Sequence, residues 1–217
     1  MSKTILITGS SDGIGLETAK ALTAEGHKVI LHGRSQEKLD RIQAELAADG
    51  EVDAIAADLS DFDAVRQLGD AVAERATKLD VLINNAGVFK TPKTRTASGL
   101  DVRFAVNSSA PYQLSRQLLP LLPAYGRIVN LSSAAKAPVQ LDALRGATPL
   151  SDQLAYAQSK LALTMWSIEL AEELTKEAGG AASPQVIAVN PGSLLATKMV
   201  HTAYQVGGAD IGIGVDA

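Results

Sequence analysis

Thr4-Ile5-Leu6-Ile7-Thr8-Gly9-Ser10-Ser11-Asp12-Gly13-Ile14-Gly15 joins a short run of β-branched and aliphatic residues to a cluster of three glycines. The apolar run has the length of a buried strand, and the helical pattern over 14–25 opens inside the glycine cluster. Gly9 can take a turn conformation closed to other residues, Gly13 lets backbone approach a ligand, and Gly15 permits close packing of helix on strand. A helix beginning here aims free N–H groups and its positive dipole end at the turn, which suits a pyrophosphate. The spacing departs from the G-x-G-x-x-G fingerprint of many dinucleotide folds. It also lacks a Gly-Lys-Ser/Thr ending, so a P-loop kinase reading fails.

Outward from this turn the alternation continues. Strands are expected over 4–8, 28–32, 52–56, 81–84, 127–131 and 186–190, with helices over 14–25, 37–48, 62–77, 99–122 and 152–178. In the third helix, Phe62, Val65, Leu68, Val72 and Ala76 recur at helical spacing. Fully apolar strands alternating with helices predict an α/β fold, a three-layer doubly wound parallel sheet of Rossmann-like type, in one domain spanning 1–217. Residues 135–151 have little periodicity and read as a long loop or short helix. The segment after 206 is rich in glycine and ends without an obvious closing strand.

Composition removes several classes of function. The 217 residues carry a net charge of −4 and only 4% aromatic side chains, so neither a positive field nor stacking surfaces favour nucleic acid. With no cysteine, disulfides, thiolate catalysis and cysteine-based zinc sites are excluded, and His27, His32 and His201 have no ligand spacing; no metal is expected. The polar start of the chain runs straight into the glycine turn, and no segment is long enough to span a bilayer. The expectation is a soluble cytoplasmic protein with no membrane partner.

Two further stretches carry chemistry. At the end of the second strand, where a carboxylate would hold a ribose 2′-hydroxyl, the chain reads Leu31-His32-Gly33-Arg34-Ser35. A guanidinium there can fork onto the 2′-phosphate of NADP, an effect that Asp12 in the glycine turn weakens. Tyr156 and Lys160 stand four apart on the last helix, hence on one face, where an ammonium favours the charged form of a phenol.

Taken in order, Thr8-Gly-x-x-x-Gly-Ile-Gly15, Asn84-Asn-Ala-Gly87, Asn107, Ser132-Ser133 and Tyr156-x-x-x-Lys160 resemble the short-chain dehydrogenase/reductase family, from Ile5 to about Thr197. The resemblance implies an NADP(H)-dependent oxidoreductase acting on a small-molecule carbonyl or alcohol. It makes Tyr156 the general acid or base, Lys160 its pKa-lowering neighbour and ribose ligand, and Ser133 the donor to the substrate oxygen, with Ser132 as the nearby alternative. Asn107 holds a water that connects Lys160 to solvent. For the cofactor it implies contacts from Gly9, Ser11, Asp12, Gly13, Ile14 and Gly15, from Arg34 and Ser35, and from Asp58 and Leu59 at the adenine. Asn85, Ala86 and Gly87 line the ribose side, while Asn84 instead stabilises the central sheet. Pro191, Gly192, Ser193, Leu194 and Thr197 form the nicotinamide-side turn. The resemblance further implies a homodimer or homotetramer.

Some features depart from the family's pattern. Ser133 and Tyr156 lie 23 positions apart, and the lengthened 135–151 loop is similar to that of retinol-dehydrogenase-like and carbonyl-reductase-like members; it is expected to rim the substrate side with Leu141, Leu144 and Leu150 inward. The turn after Pro191 carries one extra residue before Thr197, which opens the carboxamide contact to Ser193 or Leu194 backbone. Residues 193–212, with Met199, Val200, Tyr204 and Gly207-Gly208, read as a substrate lid. The alternative function is a catalytically idle NADP(H)-binding sensor or scaffold, which would need the glycine turn but not Ser133, Tyr156 and Lys160 together.

Overall fold

The computed structural model describes residues 1–217 except for the side chains of Ala203 and Tyr204, so the Tyr204 part of the expected lid lies outside the described residues. Six strands, β1 (Thr4–Ile7), β2 (Lys28–Gly33), β3 (Val52–Ala56), β4 (Val81–Asn84), β5 (Arg127–Leu131) and β6 (Gln185–Val189), form one parallel sheet in the order β3-β2-β1-β4-β5-β6. The order reverses between β1 and β4, where Ile5 pairs with Val29 on one side and Val81 on the other.

Successive strand side chains point to opposite faces, so strands covered on both sides must be apolar throughout. Leu6, Ile30, Leu82 and Ile128 face one layer, built from α3 (Phe62–Arg75), a bulged helical stretch at 102–121 and the long helix after β5. Ile5, Ile7, Val29 and Leu31 face the other, built from α1 (Gly13–Ala24) and α2 (Gln36–Leu46). The predicted doubly wound, single-domain sheet is present. Among the described residues β6 pairs with β5 alone, and Ile187 on it is 41% exposed.

The helix expected over 99–122 is broken. It comprises α4 (Val102–Phe104), a π-helical turn (Ala105–Ser109), α5 (Ala110–Leu118) and a 3-10 turn (Leu119–Leu121), while Gly99 and Leu100 belong to the preceding turn. Asp101 fixes the start by accepting from Arg103 N. Within the π turn, Asn107 Oδ1 accepts from Val88 N at 2.7 Å and its Nδ2 donates to Val88 O and Ser159 Oγ. Inserted residues of this kind are frequent at functional sites.

The 135–151 segment contains α6 (Leu141–Leu144) and then leads into α7 (Asp152–Glu177), capped by Ser151, whose Oγ accepts from Leu154 N. Its expected inward apolar face is corrected at Leu141, which is 60% exposed; Leu144 and Leu150 are half-buried, and Ala143 is the buried residue of α6. The segment is pinned at two points, by Gln140 N donating to the buried Gln158 side chain and by Arg95 donating to Gly146 O. After β6 come α8 (Lys198–Tyr204) and α9 (Gly212–Val215), and α9 returns to pack on α1. Ala196 N donates to Ala209 O and Ala209 N to Leu194 O, both at 2.7 Å, closing the expected lid into a loop.

Candidate active site

A cleft of about 630 Å³ opens above the carboxyl ends of the strands, at the point where the strand order reverses. Ligands of open α/β sheets bind in this position. Its floor is the glycine turn. Gly9 has φ +67, and a side chain there would begin 2.8 Å from Ala86 Cα, so β1 and β4 come together at a residue that has to be glycine. Asn85 Nδ2 holds the turn by donating to Thr8 O and Gly9 O, and Ala86 N donates to Thr8 Oγ1.

Asp12 caps α1 by accepting from Gly13 N at 2.8 Å. At Gly13, a side chain would begin 3.7 Å from Thr197 Cγ2, so the missing Cβ leaves a gap between the turn and the start of α8. Ser11, Asp12, Gly13 and Ile14 all line the cleft.

The second wall carries Arg34, Ser35, Asp58 and Leu59, as expected from the sequence. It also carries Lys38, which the sequence reading missed. Ser35 caps α2 by accepting from Lys38 N, and this turn brings Lys38 Nζ within 3.4 Å of Asp12 Oδ2. A cation four residues beyond Arg34 at a capped helix start was the available signal. His32 also borders the cleft, though it is buried, with Nδ1 accepting from Gly9 N and Nε2 beside Ala57 O. Burial pushes its imidazole down to about 4, so the ring is neutral and ties the glycine turn to the end of β3.

Asn85, Ala86 and Gly87 line the middle of the cleft, and Pro191 and Thr197 its far side. Gly15, Gly192, Ser193 and Leu194 do not line it: Gly15 lies behind the turn against Asn85, and Ser193 and Leu194 are exposed. Lys90, Lys198, Met199 and Thr202 line it without having been predicted as site residues, although Met199 belongs to the expected lid. Asn84 plays the structural part expected of it, donating to Asn130 Oδ1 and Ser115 Oγ inside the core.

Tyr156 and Lys160 project from α7 into this cleft. The Tyr156 ring packs edge-on against Phe89 with centroids 4.9 Å apart, and Lys160 Nζ lies 5.9 Å from its centre. Lys160 is 4% exposed and donates to Leu131 O at 2.6 Å. Ser132 lines the cleft, but its hydroxyl is bonded to Thr164 Oγ1 at 2.7 Å. Ser133, expected as the donor to the substrate oxygen, does not itself line the cleft; it is half-buried and accepts from Ala135 N, which leaves its own O–H to donate. Asn107 sits behind Lys160 on the bulge, 1% exposed.

Burial pushes the Lys160 ammonium down to about 8. An unfolded lysine titrates near 10.4, so between these values the unfolded chain binds the extra proton and stability rises with pH. Below about 8 the folded protein bears the whole penalty, roughly 3 kcal/mol. Without bound nucleotide, Lys160→Met is therefore expected to melt several degrees above the parent at pH 7 and to lose that advantage near pH 10.5. Equal melting temperatures at pH 7 would show that the ammonium is not strained.

Among the described residues, no group of three or more His, Cys, Asp or Glu is placed to hold a metal ion, and no helix is long and apolar enough to cross a membrane.

The comparisons with known proteins agree with this geometry. A family model described as short chain dehydrogenase matches residues 3–206. Retinol dehydrogenase 13 of Homo sapiens is 34% identical over 180 residues, 79% of this chain and 54% of that protein. Retinol dehydrogenase 12 of Mus musculus is 34% identical over 209 residues, 93% of this chain and 64% of its own. The chain thus spans between half and two thirds of the length of these relatives. Among solved structures, a metagenomic short-chain oxidoreductase in complex with NADP matches with TM-score 0.69 and 35% identity, over 89% of this chain and 84% of that one. A short-chain dehydrogenase from Sphingobium yanoikuyae in complex with NADPH matches with TM-score 0.77 and 26% identity, over 99% and 82%.

Proposed function

From the premise that this chain belongs to the short-chain dehydrogenase family, we propose that it is an NADP(H)-dependent oxidoreductase that interconverts a small carbonyl compound and its alcohol. One observation carries the reading: Tyr156 and the buried Lys160 open into the same cleft as the glycine turn. A sensor of NADP(H) needs the turn but gives no reason to bury an ammonium beside a phenol.

The residues present fit the dinucleotide. The gap at Gly13 and the N-terminal end of α1 suit a pyrophosphate, and Arg34 with Lys38 suits a 2′-phosphate. Bound there, the nicotinamide supplies or accepts the hydride. Tyr156 gives its proton to the carbonyl oxygen in reduction and takes it back in oxidation. Lys160 keeps the phenol acidic and reaches the ribose hydroxyls. Ser133 donates to the substrate oxygen, a contact that strengthens as charge builds there. Asn107, fixed by Val88 and Ser159, holds the water that returns the proton. Contacts from Pro191 and Thr197 to the nicotinamide side, and assembly as a homodimer or homotetramer, belong to the same proposal.

The test is turnover of NADPH, followed by its absorbance, with a panel of ketones, aldehydes and quinones; binding without turnover across that panel would overturn the reading in favour of a sensor. NADPH is expected to bind more tightly than NADH. Arg34→Ala should weaken NADPH by about tenfold and leave NADH unchanged, the scale of one charge-assisted hydrogen bond. Asp12→Asn should act in the opposite sense, by a few-fold, because it removes the carboxylate that holds Lys38 and repels a phosphate. Calorimetric titration of both nucleotides reads both variants.

A further inference from the structure

Arg103 is among the largest fully buried side chains, 1% exposed, and the chemistry above gives it no task. Its guanidinium forks onto Asp101, Nε to Oδ1 at 2.8 Å and Nη2 to Oδ2 at 2.6 Å. The remaining arm, Nη1, donates to Asp152 Oδ1 in the first turn of α7. Asp101 by itself already neutralises the charge. The bond to Asp152 joins two elements whose partners are 49 residues apart in the chain.

Replacing a buried ion pair by apolar residues is often neutral or stabilising, and the best-attested use of such groups is to fix register. The register here is that of α7 along the bulged helix. Arg103 and Asn107 lie one turn apart on that stretch, and each reaches α7, Arg103 at Asp152 and Asn107 at Ser159. Tyr156 stands between the two anchors, one turn beyond Asp152, with its ring against Phe89.

Resting on the oxidoreductase reading, we propose that Arg103 is a positioning residue: through Asp152 it sets the height and rotation of α7, and so the place where the Tyr156 phenol meets the substrate oxygen. Arg103 touches neither substrate nor nucleotide. Its effect passes through helix placement, and a misplacement of about 1 Å can cost about 100-fold in rate.

Two variants cut the anchor without stranding a buried charge. Asp152→Ala leaves Arg103 paired with Asp101. Arg103→Lys keeps one positive charge, but a single ammonium has no fork to span both carboxylates. Ser151→Ala is the control, since it removes the cap of the same helix end and leaves the ion pair intact. For the two anchor variants, single-turnover oxidation of NADPH by a substrate found in the panel is expected to slow about 10- to 100-fold, with Kd for NADPH within about twofold of the parent. Ser151→Ala is expected to melt earlier and to react at the parental rate. Anchor variants that react at the parental rate, or that slow only in step with Ser151→Ala, overturn the proposal.

A second measurement does not depend on activity. Crystal structures of parent and Asp152→Ala are expected to differ in the seat of the Tyr156 ring on Phe89 by about 0.5–1 Å. A ring that superimposes on the parent overturns the proposal, including in a protein that turns over nothing. A parent that binds NADPH without turnover, together with a shifted ring, would defeat the oxidoreductase reading and leave the register role standing.

Discussion

Tyr156→Phe is expected to lower kcat by about 100- to 10,000-fold while leaving Kd for NADPH within about twofold, the range associated with loss of a general acid. The phenol is a group suited to exchange a proton with a substrate oxygen, because Lys160 beside it is buried and bonded to Leu131 O, and the Ser133 hydroxyl accepts from Ala135 N. The ring contributes its packing on Phe89 whether or not it bears a hydroxyl, so the phenylalanine variant retains the 4.9 Å contact and the fold. This separates lost chemistry from lost structure. A normal kcat in the variant would remove Tyr156 from the proposed role, and a large rise in Kd would mean that the hydroxyl holds the nucleotide more than it moves protons.

Gly15→Ala is the second large effect. A Cβ at this position would begin 2.4 Å from Asn85 Nδ2 and 2.6 Å from Gly9 O, closer than real Cβ atoms approach. The backbone carbonyl cannot retreat easily, so the Asn85 amide is pushed off both Thr8 O and Gly9 O. Overpacking of about 1–3 kcal/mol combines with two lost hydrogen bonds of roughly 1 kcal/mol each. Because these bonds hold the turn proposed to receive the pyrophosphate, Kd for NADPH is expected to rise about 100-fold and the melting temperature to fall. Gly207→Ala, where nothing lies within 4 Å, is expected to change neither. Parental affinity in Gly15→Ala would show that the turn's shape does not govern binding.

Much of this fold is legible in the sequence because its signals are local. A parallel strand buried on both faces reads as a continuous apolar run, and β3, β4 and β5 fall at the expected residues while the other three strands differ by one residue at one end or both. The glycine turn and the Tyr156–Lys160 pair are likewise local patterns. The break in the helix over 99–122 is of another kind. It depends on Asn107 satisfying Val88 and Ser159, which are 19 and 52 positions away, and no window of sequence contains both. Lys38 became a cleft residue through the cap at Ser35 and its reach to Asp12, and the buried Arg103 gained its link to α7 through Asp152, 49 positions on. Leu141 was expected inward on its apolarity alone, but a four-residue helix buries one position, and Ala143 takes it.

The reversal of strand order between β1 and β4 also orders events during synthesis. The segment β1-α1-β2-α2-β3 can condense on local contacts, yet one edge of β1 stays unpaired until Val81 arrives, 76 residues after its partner Ile5. The glycine turn is clasped by Asn85 and Ala86, so it gains its shape only at that late closure. Nucleotide captured by a nascent or refolding chain would therefore report the joining of the two halves and not the collapse of the first. The same joining, by pairing β4 with the free edge of β1, also covers an apolar edge that until then is open to other chains.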